Sequence, residues 1–195
     1  MMGRLRGRIK GFVEAAARPL ASLPGDVYTL LGLAASLAYL AAAAAGSPLL
    51  AVLLLAVSGL LDALDGAVAR LRGEAGPRGA YLDSLLDRVE DTVYAAGFME
   101  LGYPAWAVLA FLTGALLTSY ARARYESLAG GSMEGTGLLE RSDRVVAQLL
   151  VLLVHAALGV GVAVYLYSLL AVLAWTTFAQ RLVEGYRALP RTRAG

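Results

Sequence analysis

Residues 49–69 read LLAVLLLAVSGLLDALDGAVA. This run is as long as a helix needs to cross a bilayer core, about 20 residues, yet it contains Asp62 and Asp65. An ionised carboxylate at the centre of a lipid-facing helix costs about 2.5–3.5 kcal/mol on insertion scales. Both aspartates must therefore face the protein interior or a water-filled cavity, so one stretch predicts a membrane-embedded helix with a polar centre along one side.

The neighbouring sequence repeats the pattern. Further apolar runs lie at 27–46, 79–100, 104–120, 145–162 and 165–183. They are broken by Gly46-Ser47-Pro48, by Gly73 to Pro77, by Gly102 to Pro104 and by the glycine-rich Gly130 to Gly137, all turn-forming combinations. With 58% apolar residues and a mean hydropathy of +0.64, the chain exceeds the roughly 45–50% apolar share of soluble domains, which excludes a water-soluble globule. The expectation is an all-α polytopic membrane protein: one domain over 1–195, with an interfacial segment at 1–22 and a six-helix bundle of transmembrane spans over 23–195. Cysteine is absent, so disulfides, thiolate metal sites and a thiol nucleophile are excluded. A net charge of +2 is too small to point to nucleic acid.

Orientation follows from where the 17 Lys and Arg fall. Arg4, Arg6, Arg8, Lys10 and Arg18 precede the first run. Arg70, Arg72, Arg78 and Arg88 surround the second connection, and Arg122, Arg124, Arg141 and Arg144 the fourth. Arg181, Arg187, Arg191 and Arg193 close the chain, and none lies near 47, 102 or 163. Basic residues mark the cytoplasmic side, so a multi-pass protein of the cell membrane with both termini cytoplasmic is expected. Before the first run, Leu5, Ile9, Phe12 and Val13 recur near helical spacing among basic residues. That pattern reads as an amphipathic helix on the cytoplasmic surface, with a disordered basic tail as the alternative.

Asp62, Asp65, Asp83 and Asp87 lie within 26 residues, on two consecutive runs. At 100° per residue, 62, 65, 66, 69 and 70 share one side of the second helix, and 79, 83, 87 and 90 one side of the third. The short connection makes these helices antiparallel and brings the carboxylates to a similar depth. Four such groups require cations, and hard oxygen donors suit Mg²⁺, Mn²⁺ or Ca²⁺ rather than zinc or copper. On composition alone, metal-assisted chemistry, interhelix Asp–Arg pairs and a proton or cation pathway all remain open. Gly66 and Ala69 leave room on the carboxylate face for a large ligand, and Arg70 supplies a phosphate-complementary fork, which favours a phosphoryl-group site.

The residues Asp62-Ala-Leu-Asp65-Gly66-Ala-Val-Ala69-Arg70, followed after eight residues by Gly79-Ala-Tyr-Leu-Asp83-Ser-Leu-Leu-Asp87, match the signature D-x2-D-G-x2-A-R-x8-G-x3-D-x3-D at every fixed position. The chain thus resembles the CDP-alcohol phosphatidyltransferases. The resemblance implies transfer of a lipid phosphate from a CDP-linked lipid to the hydroxyl of a small alcohol, with release of CMP. It implies two Mg²⁺ ions, with Mn²⁺ as a substitute, held by Asp62, Asp65, Asp83 and Asp87, with Asp87 also taking the acceptor's proton. Gly66 and Arg70 correspond to nucleotide-binding positions. Asp26 and Thr29 in Pro24-Gly25-Asp26-Val27-Tyr28-Thr29 correspond to a P-N-x-x-T element near the nucleotide, with Asp for Asn and Pro displaced by one. A homodimer is also implied.

Ser119-Tyr120-Ala121-Arg122-Ala123-Arg124 and Glu140-Arg141-Ser142-Asp143-Arg144 resemble elements of the inositol phosphate synthase branch. That likeness implies a phosphorylated acceptor, inositol phosphate before glycerol 3-phosphate, held by Arg122, Arg141 and Arg181. Ordinary positive-inside anchoring is the other reading of these arginines. An intramembrane prenyltransferase and a small cation carrier are the competing functions. His155 reads as a packing residue, and no signature position recruits Glu90 or Asp91.

Overall fold

A computed structural model describes residues 11, 13–133 and 135–190. Among these, the regular structure is entirely helical. The long helices are α1 (Gly25–Ala44), α2 (Pro48–Arg72), α3 (Pro77–Glu100), α4 (Ala105–Ala129), α5 (Arg141–Leu158) and α6 (Val160–Ala188). The chain packs as two compact units, residues 1–97 and 98–195, and α3 passes from one into the other.

In the first unit the local sequence sets the helix ends. Pro24 is extended ahead of α1, Pro48 opens α2 where no backbone donor is needed, and Gly73 ends α2 in the left-handed region with φ +70°. The buried face of α1 includes Gly25, Thr29, Gly32, Ser36 and Tyr39, successive turns of one helix side. It packs along α2, whose buried positions include Ala51, Leu55, Ser58 and Asp65. The outward side of α2 is apolar: Leu49, Leu53 and Leu60 are 71%, 58% and 54% exposed. Small and polar inside with leucine outside inverts the usual soluble pattern, and suits close helix packing in lipid.

Two features fix this unit further. Ala17, Tyr28, Leu64, Ala67 and Val68 form a buried cluster against which Val13, Ala16 and Leu61 pack, so the helical stretch at 13–17 is seated on α1 and α2. Arg72 Nη1 donates to Ala21 O at 2.8 Å and ties down the chain entering α1. Of the interfacial helix expected over 1–22, residues 1–10 and 12 lie outside the described residues. On the other side, Ser58 Oγ donates to Gly32 O at 2.8 Å and shares a 2.7 Å hydrogen bond with the Tyr94 hydroxyl, while Tyr39 OH donates to Tyr94 O at 3.2 Å.

In the second unit α4 and α5 each pack along α6. Gly114 lets α4 approach α6, for a Cβ there would lie 3.1 Å from Ala174 Cβ and from Trp175. Phe98, Tyr103, Phe111 and Tyr167 form an aromatic cluster with ring centroids 4.5–5.2 Å apart. The connection between α4 and α5 is strapped to the helices. Leu138 N and Leu139 N donate to Gln180 Oε1 and Thr177 Oγ1, each at 3.1 Å, and Arg181 Nε donates to Thr136 O at 2.9 Å.

Among the described residues four helices, α1, α2, α4 and α6, are long and apolar enough to cross a membrane. Helices α3 and α5 form where expected but carry more charge: seven Asp, Glu and Arg residues in α3, and Arg141, Asp143 and Arg144 in α5. Two boundaries differ from the sequence reading. The break before α6 is at Gly159, with φ +84°, rather than near 163. Helix α4 continues nine residues past the apolar run ending at 120, through Arg122, Arg124 and Glu126 to Ala129, because charged side chains do not interrupt a helix and only Gly130, at φ +67°, does.

Candidate active site

The two helices carrying the signature deliver their aspartates as the spacing requires, with one distinction. Asp62 of α2 and Asp83 and Asp87 of α3 each offer a carboxylate oxygen, and all three oxygens lie within 4.8 Å of one another. Asp65 is buried and held by other partners. Its Oδ2 accepts a 2.8 Å hydrogen bond from Thr29 Oγ1, and its Oδ1 accepts from the backbone N–H of Gly66. Thr29, expected as a nucleotide contact, thus orients an aspartate. Asp87 also has its neighbour Arg88 on it, with Nη1 3.0 Å from Oδ2.

A cavity of about 540 Å³ opens beside these carboxylates. Its wall includes Asp26 and Thr29 from α1, Asp65, Gly66 and Arg70 from α2, and Arg78, Gly79 and Asp83 from α3. All four expected nucleotide contacts, Gly66, Arg70, Asp26 and Thr29, therefore line one space. The small signature residues have steric reasons. A Cβ on Gly25 would lie 2.9 Å from Asp65 O and 3.0 Å from Ala69 Cβ, so α1 begins hard against Ala69. A Cβ on Gly66 would lie 3.3 Å from Arg70 Nη1, so the glycine lets the guanidinium fold back across the helix towards the cavity. Glu14 faces Arg70 from the N-terminal stretch, 4.0 Å away. This half-exposed pair is worth little energetically.

Three carboxylate oxygens within one coordination sphere form a hard donor set of the kind that takes Mg²⁺ or Mn²⁺. Like charges this close oppose one another's ionisation, and a cation among them offsets that repulsion. The donor set thus fits a divalent ion, and the adjoining cavity, with Arg70 and Arg78 in its wall, fits a bound diphosphate.

The expected acceptor residues lie in the second unit. Arg181 is buried and donates from Nε to Thr136 O and from Nη1 to Thr118 O, at 2.9 and 3.0 Å. Arg122 and Arg144 act on it electrostatically, as do Glu126 and Glu140. Arg122 Nε pairs with Glu126 Oε1 at 3.0 Å, and Arg141 is the first residue of α5, within the capping box that Glu140 and Asp143 form around the helix start. Two residues went unassigned in the sequence reading. Arg144 is buried, which no positive-inside anchor needs to be, and Arg78 stands in the cavity wall. The only sequence signal for Arg78 was its place beside Gly79.

Comparison with known proteins points to one family. The chain is 41% identical over 183 residues to an archaetidylinositol phosphate synthase of Aeropyrum pernix, covering 90% of this chain and 93% of that one. It is 36% identical over 194 residues to an archaetidylinositol phosphate synthase of Pyrococcus horikoshii, covering 97% and 98%. Among solved structures it is similar to the Mycobacterium tuberculosis phosphatidylinositol phosphate synthase with CDP-DAG bound: TM-score 0.79, 31% identity, 92% of this chain and 98% of that one. The same protein in complex with manganese and citrate gives a TM-score of 0.78 at 31% identity, covering 92% and 93%. The family pattern for CDP-alcohol phosphatidyltransferase matches residues 23–180, a stretch that includes the whole signature and the arginines at 122, 141 and 144. By signature, fold and match over most of its length, this chain belongs to the CDP-alcohol phosphatidyltransferase family.

Proposed function

We propose that this chain transfers the lipid phosphate of a CDP-linked lipid to a hydroxyl of inositol phosphate and releases CMP. The observation that carries the chemistry is the trio Asp62, Asp83 and Asp87 beside a cavity walled by Asp65, Arg70 and Arg78. Family membership sets aside the cation-carrier and prenyltransferase readings. The acceptor is supported by the two archaetidylinositol phosphate synthases at 41% and 36% identity, and by Arg122 and Arg144 both acting electrostatically on the buried Arg181 in the second unit.

Asp62, Asp83 and Asp87, with Asp65 as a fourth carboxylate, would hold one or two Mg²⁺ ions, with Mn²⁺ able to substitute. The crystallisation of the mycobacterial relative with manganese supports a divalent ion. When bound, such ions supply charge neutralisation for the diphosphate and its leaving CMP. The chain's own residues do the rest. Arg70 and Arg78 bind the diphosphate, Asp26 and Thr29 bound the nucleotide side of the cavity, and a carboxylate oxygen of Asp87 takes the acceptor's proton. The acceptor oxygen forms a bond to the lipid phosphorus, the diphosphate P–O bond breaks, and the electron pair leaves with CMP. Arg122, Arg141 and Arg181 bind the acceptor's phosphate.

The match over 23–180 spans both compact units, which supports one functional domain. In this reading α3 and α5 also cross the bilayer, making six spans behind an interfacial helix. Both termini face the cytoplasm of the cell membrane, and the protein works as a homodimer.

Purified protein given CDP-lipid and divalent ion, then inositol phosphate, free inositol, glycerol 3-phosphate or serine in turn, tests the assignment. Lipid product is expected with inositol phosphate. Product with glycerol 3-phosphate alone would move the acceptor while keeping the chemistry, and product with none would remove the assignment.

A further inference from the structure

Helix α3 carries its metal-facing aspartates on a face that continues beyond them. Positions 83, 87, 90, 94 and 97 follow one another by three or four residues and share one side of the helix. Glu90 is 2% exposed, although no signature position accounts for it. Its Oε1 lies 3.2 Å from where a Cβ on Gly32 would sit, and Leu61 Cβ and Ser58 O both lie 3.7 Å from the same point. The carboxylate of Glu90 therefore fills a notch in α1 that exists because residue 32 is glycine, beside the segment of α2 that leads directly into Asp62. The next turns of the same face are locked as well. Tyr94 shares its hydroxyl with Ser58 at 2.7 Å, and the Tyr39 ring occupies the space a side chain at Gly97 would need.

We propose that Glu90 is a positioning residue: seated in the Gly32 notch, it sets the rotation and axial register of α3 so that Asp83 and Asp87 meet Asp62. An apolar residue at 90 would fill space equally well, but it would tolerate sliding. A buried carboxylate seated in a close-fitting notch does not, and setting register is the best-attested use of such groups. A slip of one residue in α3 turns its side chains by about 100°, enough to remove both aspartates from the trio.

The proposal rests on the trio being a divalent-ion site, and the test separates the two. Mn²⁺ binding to the detergent-solubilised full chain is followed by electron paramagnetic resonance of the free ion, in the parent protein and in Glu90→Gln, Gly32→Ala and the Gly32→Ala/Glu90→Asp double variant. Glu90→Gln and Gly32→Ala should each weaken Mn²⁺ affinity roughly tenfold or more, without changing the number of ions bound at saturation. The double variant, in which the shorter acid makes room for the added methyl, should recover to within about threefold of the parent, because the two positions act through one contact. Should Glu90→Gln fail to fold, Gly32→Ala and the double variant carry the test, since both keep an acid at 90. Unchanged affinity in Gly32→Ala, no recovery in the double variant, or fewer ions bound by Glu90→Gln would overturn the positioning role. Absence of Mn²⁺ binding in the parent protein would instead overturn the metal reading on which it stands.

Discussion

Asp65 and Thr29 show what single residues contribute beyond a motif. The 2.8 Å hydrogen bond between them is buried, and a hydrogen bond to a charged group is worth about 1.5–3 kcal/mol. Thr29→Val should therefore lower kcat/KM for the CDP-lipid by roughly ten- to a hundredfold, with Thr29→Ser retaining most of the activity. Steady-state kinetics of the three proteins checks this, and equal loss in the Ser and Val variants would show that the methyl, not the hydroxyl, matters. The aspartates and Gly66, Ala69 and Arg70 were legible in the sequence, because each has a fixed spacing on a helix face. The Thr29 contact was not, since it joins residues 36 apart through a helix crossing that periodicity does not reveal. Arg144 escaped for a similar reason, as charge in a sequence gives no sign of burial.

At the level of elements, the strap between α4 and α5 changes what an arginine substitution reports. Arg181 bridges Thr118 O and Thr136 O, so removing it takes one donor from each of two carbonyls as well as withdrawing a charge. Arg141→Ala should raise the acceptor KM by roughly ten- to a hundredfold, from the same 1.5–3 kcal/mol per charge-assisted contact, with melting temperature little changed. Arg181→Lys should lower the melting temperature as well, because an ammonium cannot span two carbonyls as the planar fork does. Kinetics paired with thermal melting in detergent separates the two, and identical profiles for both variants would contradict the bridging role. On the other side, the space at Gly97 is taken by the Tyr39 ring. Gly97→Ala should therefore destabilise the protein by about 1–3 kcal/mol through overpacking, read from the same melts. Helix number and order were legible from the apolar runs. The end of α4 was not, because apolar periodicity marks where a helix meets lipid rather than where its hydrogen bonding stops. The start of α6 was missed because Gly159-Val-Gly-Val carries no polar punctuation.

For the whole molecule, the proposed topology, drawn from the arginine distribution, has the connections at 73–76 and 130–140 on the cytoplasmic side and those at 45–47 and 101–104 on the other. The chain lacks cysteine, so single substitutions report directly. Ser47→Cys should react with an impermeant maleimide from outside intact cells, and Gly76→Cys and Gly131→Cys only after permeabilisation. The reverse pattern would invert the topology, and labelling of all three from one side would contradict the crossing of α2. The aspartates of α2 and α3 are proposed to let this chain cleave a CDP-linked lipid for an alcohol acceptor. The most direct measurement is CMP release by the purified protein with CDP-lipid, Mg²⁺ and inositol phosphate, beside the same reaction without acceptor, with chelator, and with Asp83→Asn. One CMP per lipid product is expected, with loss of at least about a hundredfold in each of the three controls, as removal of an essential charged group implies. Release of CMP at an undiminished rate by Asp83→Asn, or with the divalent ion chelated, would contradict it.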